Sequence, residues 1–209
     1  MVVDVQRDFC DPSVSRFDLD QDVVDAVKRA ATVAAGLADE ARDLGVHVVW
    51  VRLERRSDNM WPASDWLFDR SEDGWAPCLA GTAGADWFVV EPRDDDMVVT
   101  KGRHSAFHGT DLAARLRARG VEAVAVCGIT TDCCVESTVR DAYQADLPPL
   151  VVADACAAHD PARHENALAI MATHVARVAT SAELTRHWRS AAAGSTDGLL
   201  PGFMLTATP

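Results

Sequence analysis

Short apolar runs alternate along the chain with longer stretches in which apolar and polar residues mix at helical spacing. The runs are dominated by valine, isoleucine and alanine and occupy residues 2–5, 46–53, 97–100, 121–129, 150–153 and 175–180. They predict buried β-strands, and the stretches between them predict helices over about residues 21–44, 110–119, 133–145 and 161–174, with a last helix from about residue 181. Because apolar strands separated by helices are typical of a parallel sheet covered on both faces, the predicted fold is α/β: a three-layer α/β/α sandwich with a mainly parallel sheet of about six strands.

Residues suited to helix ends stand at the predicted boundaries. Asp20 is placed to cap the first long helix, which Gly45 ends, and Pro161 suits the first turn of another helix. Thr180 and Glu183 have the spacing of a capping box at the start of the last helix. These signals support the helical interpretation of the stretches between the strands.

Two regions depart from this alternation. Residues 54–86 form a long connection that we expect either to pack as a lid or to line a substrate pocket. Its tryptophans, with one just beyond it, are Trp61, Trp66, Trp75 and Trp87. The tail over residues 191–209 is predicted to fray or to dock on a neighbouring subunit, and its apolar residues include Leu199, Leu200, Phe203 and Met204. Because no internal repeat or low-complexity linker occurs, residues 1–190 are predicted to form one domain.

The composition narrows the partners that the protein can have. The formal net charge of -12 argues against nucleic-acid binding, because phosphate recognition needs clustered lysine and arginine. No window approaches the roughly 18 apolar residues of a membrane-spanning helix, so we expect no membrane partner. The first residues lack the basic run and apolar stretch of a signal peptide, and the expected location is therefore cytoplasmic.

Six cysteines and seven histidines are candidates for reactive or metal-binding groups. No C-x-x-C pair or zinc-type spacing occurs, and the absence of a predicted signal peptide favours reduced thiols over disulfides. His104 and His108 are four residues apart but fall in a predicted loop, and His159 and His164 are interpreted as solvated or capping groups. We therefore expect at least one reactive cysteine, no bound metal and no cofactor.

Reactive side chains follow three of the predicted strands. Asp4 lies at the end of the first strand, Lys101 follows the third, and Cys133 and Cys134 follow the fourth. The carboxyl ends of parallel strands share one edge of the sheet, so a carboxylate, an amine and a thiol are expected to meet there. A cysteine in the first turn of a helix faces the positive end of the helix dipole, which favours the thiolate, and free N–H groups there suit an oxyanion.

Four segments carry a resemblance to a known family. They read Asp4-Val5-Gln6-Arg7-Asp8-Phe9, Lys101-Gly102-Arg103-His104-Ser105-Ala106-Phe107, Gly109-Thr110-Asp111-Leu112 and Gly128-Ile129-Thr130-Thr131-Asp132-Cys133-Cys134-Val135-Glu136-Ser137-Thr138. In this order they resemble the isochorismatase-like superfamily, and within it the cysteine hydrolases such as the N-carbamoylsarcosine and ureidoacrylate amidohydrolases. The resemblance covers about residues 2–183.

The resemblance implies a role for each matching residue. Cys134 matches the nucleophile, Asp4 the proton shuttle, and Lys101 the group between them that lowers the pKa of the thiol. It also implies a cis peptide bond between Ile129 and Thr130, with the N–H groups of Thr130 and Cys134 forming an oxyanion hole. The positions that match the substrate pocket are Gln6, Phe9, Arg103, Phe107 and Thr131.

The implied activity is hydrolysis of a C–N bond in a small amide, ureido or carbamoyl compound through a thioester intermediate. Arg103, with Arg55 or Arg56, is a candidate to bind a substrate carboxylate. The resemblance further implies a homodimer or homotetramer. Nicotinamidases of this superfamily hold a metal through an Asp-x-His element after the second strand, and the lack of a histidine at that place speaks against such an enzyme.

Several alternatives stay open at this point. An isochorismatase-type vinyl-ether hydrolase would keep the aspartate and lysine but lack the cysteine, so the presence of Cys134 speaks against it. A ligand-binding or assembly relative without activity is a second alternative. Cys133 is the rival nucleophile, and the cysteines interpreted as structural are Cys10, Cys78, Cys127 and Cys156.

Overall fold

A computed structural model of the protein describes residues 1–56, 58 and 75–194. The strands are β1 (Val2–Val3), β2 (Val49–Leu53), β3 (Met97–Lys101), β4 (Val124–Ile129), β5 (Pro149–Ala157) and β6 (Arg177–Ala179). They form one six-stranded sheet in the order β3-β2-β1-β4-β5-β6, and every neighbouring pair is parallel. The predicted parallel sheet of about six strands is therefore confirmed.

Helices cover both faces of this sheet. They are α1 (Arg7–Cys10), α2 (Gln21–Asp43), α3 (Leu112–Arg117), α4 (Glu136–Gln144), α5 (Pro161–His174) and α6 (Ser181–Ala192), with a 3-10 turn at Ala83–Ala85 and a π-helical turn at Thr131–Val135. α2 packs against β4, β5 and α6, whereas α4 and α5 pack against β5 and against each other. The three-layer α/β/α prediction is confirmed.

The predicted helix ends are observed with their capping contacts. The Asp20 carboxylate accepts a hydrogen bond from the N–H of Val23 at 2.9 Å, and α5 begins with Pro161 at its first turn. Thr180 and Glu183 form the predicted capping box at the start of α6. These local signals were sufficient to place the helices because each lies next to a well-defined apolar strand.

The strand ends differ more from their predicted positions. β1 is shorter than predicted and β2 begins only at Val49, whereas β5 continues to Ala157, four residues beyond the predicted end at residue 153. The extension occurs because β4 and β5 resume pairing after an irregularity, so that Ile129 lies opposite Ala157. The longer β5 brings the segment after it to the same edge of the sheet as the end of β4.

β1 and β4 approach each other unusually closely at Gly128. Gly128 pairs with Val3 and has a φ of 128°, a conformation that residues with a side chain rarely adopt. A β-carbon at Gly128 would lie 2.0 Å from the carbonyl oxygen of Val3. Because Asp4 follows Val3 directly, this close approach positions Asp4 beside the turn that follows β4.

The remaining expectations about the fold concern the membrane, the domain boundary and the tail. Among the described residues, no helix combines the length and apolar character needed to cross a bilayer. α6 continues to Ala192, slightly past the predicted domain end at residue 190. The tail from residue 195, with Leu199, Leu200, Phe203 and Met204, lies outside the described residues, as do Trp61 and Trp66.

Candidate active site

Asp4 and Lys101 form a buried ion pair at the carboxyl edge of the sheet. Asp4 follows β1 with a left-handed φ of 50°, and Lys101 is the last residue of β3. The Lys101 Nζ lies 2.6 Å from the Asp4 Oδ2, and neither side chain has any exposed surface. Lys101 Nζ also donates a hydrogen bond to the carbonyl oxygen of Arg103 at 2.9 Å. The lysine side chain thus reaches across β2 and holds its charge against the aspartate.

Cys134 lies beside this ion pair. It is only 5% exposed, and its thiol lies close enough to Asp4 and Lys101 to affect the pKa of both. The structure therefore brings together the three residues predicted to be catalytic, which we call the charged cluster (Asp4, Lys101 and Cys134). They come from the ends of β1 and β3 and from the turn after β4, as expected for groups at the carboxyl ends of parallel strands.

Burial and pairing shift the pKa values of the ion pair. Burial raises the pKa of Asp4, and the opposing effects of Lys101, Cys134 and His104 do not cancel it. Burial lowers the pKa of Lys101, but the negative charges of Asp4 and Cys134 outweigh it and the net shift is upward. Neither Asp4 oxygen has a well-aligned hydrogen bond among the described residues, so lone pairs remain available. A buried carboxylate of this kind is a stronger proton acceptor than an exposed aspartate.

The two adjacent thiols share their environment with His104. The His104 Nδ1 lies 3.2 Å from the Cys133 Sγ and 3.8 Å from the Cys134 Sγ. The contact with Cys133, together with burial, raises the pKa of Cys134, although Lys101 and His104 act to lower it. The contact with Cys134 lowers the pKa of Cys133. Lys101 thus acts to lower the pKa of Cys134, as expected. The net shift of that pKa is nevertheless upward, because the two thiols titrate as a pair.

The backbone after β4 turns sharply towards the charged cluster. The peptide bond between Ile129 and Thr130 is cis, the conformation that the resemblance implies for this bond. The helix predicted from residue 133 begins earlier, as the π-helical turn Thr131–Val135, and continues as α4. The N–H groups of Cys133 and Val135 both donate to the carbonyl oxygen of Thr130, at 3.2 and 3.1 Å. Cys134 therefore lies in a first helical turn, where N–H groups and the helix dipole favour negative charge.

Gln6 is fully engaged with the backbone around it. Its amide nitrogen donates to the carbonyl oxygens of Leu53 and Ala85, both at 2.9 Å, and its amide oxygen accepts from the N–H of Leu53 at 2.8 Å. Both amide hydrogens are thus used, and Gln6 ties the segment after β1 to β2 and to the 3-10 turn. Phe107, also predicted to bind substrate, is half-buried and packs against the core.

Aromatic side chains from four separate segments meet near the carboxyl edge. The rings of Phe9 and Phe17 stack with centroids 5.9 Å apart, and Phe17 also lies 5.8 Å from Trp75 and 5.2 Å from His159. The His159 Nε2 lies 2.9 Å from the carbonyl oxygen of Phe9. We call these residues the aromatic cluster (Phe9, Phe17, Trp75 and His159). Trp87 instead packs edge-on against Trp50.

The predicted solvated or capping roles of two histidines are wrong. His159 is half-buried within the aromatic cluster, because the extended β5 delivers it beside α1. The His164 Nδ1 lies 2.8 Å from the hydroxyl of Thr131, which is itself buried. Burial lowers the pKa of both imidazoles, so both favour the neutral form. The contact with His164 therefore fixes the Thr131 side chain against α5.

The three arginines that the sequence suggested for carboxylate binding differ in burial and in their partners. Arg55 is 5% exposed, and burial and the nearby charge of Arg103 lower the pKa of its guanidinium, whereas Cys134 and Asp4 act in the opposite direction. Arg56 is exposed and forms ion pairs with Glu54 and Asp58. Arg103 is half-buried and donates to the carbonyl oxygen of Gly102 at 2.9 Å. Arg55 thus lies close enough to Arg103, Cys134 and Asp4 for their charges to affect the pKa of its guanidinium.

All six cysteines are free thiols, as expected for a reduced protein. Four of them, which are buried away from the His104 contacts, are Cys10, Cys78, Cys127 and Cys156. Burial raises the pKa of each of these four thiols, to about 11 for Cys127. A buried thiol with a raised pKa needs a neighbouring group to take its proton. Cys134 interacts with both Asp4 and Lys101, and this difference favours the structural interpretation of the other four.

The sequence did not predict the positions of His104 and Phe17. The sequence offers His104 only as a ligand paired with His108, whereas the bend after β3 turns its imidazole onto the two thiols. Its place three residues after Lys101, in a loop leaving the same strand end, was the available signal. No pattern marked Phe17, because its partners lie far away along the chain.

The sequence profile of the isochorismatase domain matches residues 1–183. The chain therefore belongs to the isochorismatase family. Among solved structures, a cysteine hydrolase from Pseudomonas syringae pv. phaseolicola 1448A superimposes with a TM-score of 0.79 and 28% identity, and the match covers 91% of both chains. The N-carbamoylsarcosine amidase from Thermoplasma acidophilum superimposes with a TM-score of 0.69 and 27% identity, over 86% of this chain and 94% of that one.

A curated relative adds a second kind of amidohydrolase. The ureidoacrylate amidohydrolase RutB of Azorhizobium caulinodans is 29% identical over 172 residues, which are 74% of this chain and 74% of the relative. The chain spans only 56–60% of the length of three other curated relatives that it matches. The family and the relatives named here are hydrolases, and the resemblance read from the motifs is confirmed.

Proposed function

We propose that the protein is a cysteine-dependent amidohydrolase that cleaves a C–N bond of a small amide, ureido or carbamoyl compound. The observation that carries this proposal is the buried Asp4–Lys101 ion pair with the Cys134 thiol close enough to affect the pKa of both members. A thiol, a proton acceptor and a fixed positive charge in contact are the groups that acyl transfer to sulfur requires. The relatives named as amidohydrolases support the same reaction class.

In the first half-reaction, Asp4 takes the proton of Cys134 and the thiolate attacks the carbonyl carbon. The carbonyl oxygen becomes an oxyanion, which the N–H groups of Thr130 and Cys134 stabilise in the first turn after β4. The C–N bond then breaks, the departing amine takes the proton from Asp4, and a thioester remains on Cys134. Lys101 stays protonated throughout and keeps the cluster close to electroneutral.

In the second half-reaction, Asp4 removes a proton from a water molecule, whose oxygen attacks the thioester carbon. The C–S bond breaks, and the proton on Asp4 returns to Cys134. The products are an amine or ammonia and a carboxylic or carbamic acid. The neutral thiol and the carboxylate are thereby restored, so no further co-reactant is needed.

The substrate that this site fits best carries a carboxylate. The charges of Arg103 and Cys134 both act on the buried guanidinium of Arg55, and a carboxylate bound by the two arginines would relieve the repulsion between them. Phe9 and Phe107 would supply the apolar walls of the pocket. Thr131 and Gln6 would position the backbone around the substrate, since both side chains are already held by hydrogen bonds.

The test is ammonia or amine release from a panel of ureido acids, carbamoyl amino acids and simple amides. Cys134→Ala should abolish turnover, by about 10⁴-fold or more, because the nucleophile is lost. Cys127→Ala, which removes a buried thiol from β4, is the matched control and should retain activity. Cys133→Ala distinguishes the rival nucleophile. Full activity in Cys134→Ala, or total loss in Cys133→Ala alone, would refute the assignment.

The carboxylate subsite has its own test. Arg55→Ala should raise KM for carboxylate-bearing substrates by about 10- to 100-fold, since a charged hydrogen bond contributes about 1.5–3 kcal/mol. Arg56→Ala is the matched control, because that neighbouring side chain is exposed and paired with Glu54 and Asp58. Equal effects of Arg55→Ala on a carboxylate substrate and on its neutral amide analogue would contradict the subsite.

Two alternatives make different predictions. A vinyl-ether hydrolase would cleave a vinyl ether and would tolerate Cys134→Ala, because enzymes of that type keep the aspartate and lysine but lack the cysteine. A ligand-binding relative would bind panel compounds without any product, even over long incubation. The presence of Cys134 in contact with both partners favours the amidohydrolase over each of them.

We further propose that the protein assembles as a homodimer or homotetramer and acts in the cytoplasm. The domain over residues 1–190 would form the body of each subunit, and the tail over residues 191–209 would contribute to the interface. Light scattering after size-exclusion chromatography tests the assembly. A monomer at micromolar concentration would contradict it.

A further inference from the structure

Three thiophilic-metal ligands lie together next to the charged cluster. The His104 Nδ1, the Cys133 Sγ and the Cys134 Sγ all lie within 4.8 Å of one another. His104 comes from the bend after β3, and the two cysteines come from the turn after β4. Two unconnected segments thus deliver one imidazole and two sulfurs to one point, although no zinc-type spacing exists in the sequence.

The separations between these atoms match those around a tetrahedral ion. Zn²⁺ binds sulfur at about 2.3 Å and imidazole nitrogen at about 2.0–2.1 Å, so neighbouring donors in a tetrahedral site lie about 3.5–3.8 Å apart. The nitrogen-to-sulfur distances here are 3.2 Å to Cys133 and 3.8 Å to Cys134. Movements of a few tenths of an ångström would bring both nitrogen-to-sulfur distances to the tetrahedral value, and the two sulfurs already lie within 4.8 Å of each other.

We propose that His104, Cys133 and Cys134 form a binding site for a thiophilic divalent cation, with Zn²⁺ as the ion that best fits one imidazole and two thiolates. Three protein ligands leave a fourth tetrahedral position for water or another small ligand. Binding converts each neutral thiol to a thiolate and releases its proton to solvent. Two thiolates balance the charge of the ion, so the bound site is neutral apart from the Asp4–Lys101 pair.

Occupation of this site is incompatible with the proposed chemistry of Cys134. A sulfur whose lone pair is coordinated cannot attack a carbonyl carbon, so the ion acts as a reversible inhibitor rather than as a cofactor. Metal binding itself does not depend on turnover. The inference therefore goes beyond the proposed function and can be tested without a substrate.

The experiment titrates the full chain, stripped of metal with a chelator, with Zn²⁺ in a calorimeter and with Co²⁺ in a spectrophotometer. We expect one ion per chain, proton release that grows as the pH falls below the thiol pKa values, and thiolate-to-cobalt charge-transfer absorption. His104→Ala and Cys133→Ser should each weaken binding by about tenfold or more. The matched controls His174→Ala, an exposed histidine at the end of α5, and Cys127→Ala should bind as the unaltered protein does.

Two results would overturn the inference. One is Zn²⁺ affinity in His104→Ala and Cys133→Ser equal to that of the controls, and the other is Co²⁺ binding without charge-transfer absorption. Circular dichroism of each variant shows that a loss of binding is not a loss of folding. If no panel compound is hydrolysed while the metal titration succeeds, the proposed function fails and the metal site stands. If hydrolysis is found, Zn²⁺ should inhibit it and a chelator should restore it.

Discussion

The charged cluster and the aromatic cluster lie at the same edge of the sheet but are built differently. Asp4, Lys101 and Cys134 stand at strand ends or in a first helical turn, and all three are buried. Phe17 is 36% exposed and belongs to the irregular segment between α1 and α2, and Trp75 belongs to the long connection after β2. The reacting groups are therefore fixed by regular secondary structure, whereas the aromatic surface depends on connections, which are freer to vary.

Loss of the Asp4 carboxylate should damage both the activity and the stability that depend on the charged cluster. Asp4→Asn should lower kcat/KM by about 10²- to 10⁴-fold, the usual contribution of a general acid–base group. It should also lower the free energy of unfolding by about 3–5 kcal/mol, because the ammonium of Lys101 is left buried and uncompensated. Steady-state kinetics and urea unfolding measure the two effects.

A double variant separates catalysis from stability in this cluster. Asp4→Asn combined with Lys101→Met removes both charges, so the free energy of unfolding should recover while activity stays lost. Recovery of activity in the double variant would show that Asp4 serves only to neutralise Lys101. Equal stability of the single and double variants would contradict the ion pair as a buried, mutually compensating unit.

A substitution at Gly128 should disturb the backbone that positions Asp4 beside Cys134, although it changes none of the reacting groups. In Gly128→Ala the new β-carbon would meet the carbonyl oxygen of Val3, and the φ of 128° would be strained. Overpacking and backbone strain together should cost about 2–5 kcal/mol of unfolding free energy, measured by urea unfolding. Gly36→Ala is the matched control, since nothing lies within 4 Å of its added carbon in α2, and it should stabilise the protein by about 0.5–1 kcal/mol.

The charged cluster should also set the pH dependence of the reaction. Lys101, Cys134 and His104 face Asp4, and with burial as the dominant effect the pKa of Asp4 is raised above 3.8. Because Asp4 must be ionised to accept the thiol proton, kcat/KM should fall about tenfold per pH unit below that raised pKa, in metal-free buffer. The acid limb should disappear in Asp4→Asn and persist unchanged in aromatic-cluster variants.

The contrast between the clusters also explains what the sequence could predict. The positions of Asp4, Lys101 and Cys134 could be predicted because each lies at or just after the end of an apolar strand, and parallel strands bring their carboxyl ends together. The place of His104 three residues after Lys101 indicated the right strand end, but the bend that turns its imidazole onto the thiols has no periodic signature and could not be predicted. Gln6 was expected at the substrate, and only the structure reveals that its amide is used by Leu53 and Ala85.

The smallest effect is expected in the aromatic cluster. Phe17→Ala removes ring contacts with Phe9, Trp75 and His159, each worth about 0.5–1.5 kcal/mol, but the ring is partly exposed and lies outside the charged cluster. KM should therefore rise by about two- to tenfold while kcat and the acid limb stay unchanged. Tyr143→Ala, which removes an exposed ring on α4, is the control and should leave both constants unaltered. A fall in kcat as large as that of Asp4→Asn would mean that the aromatic cluster holds the reacting groups in place, and the division between the two clusters would be wrong.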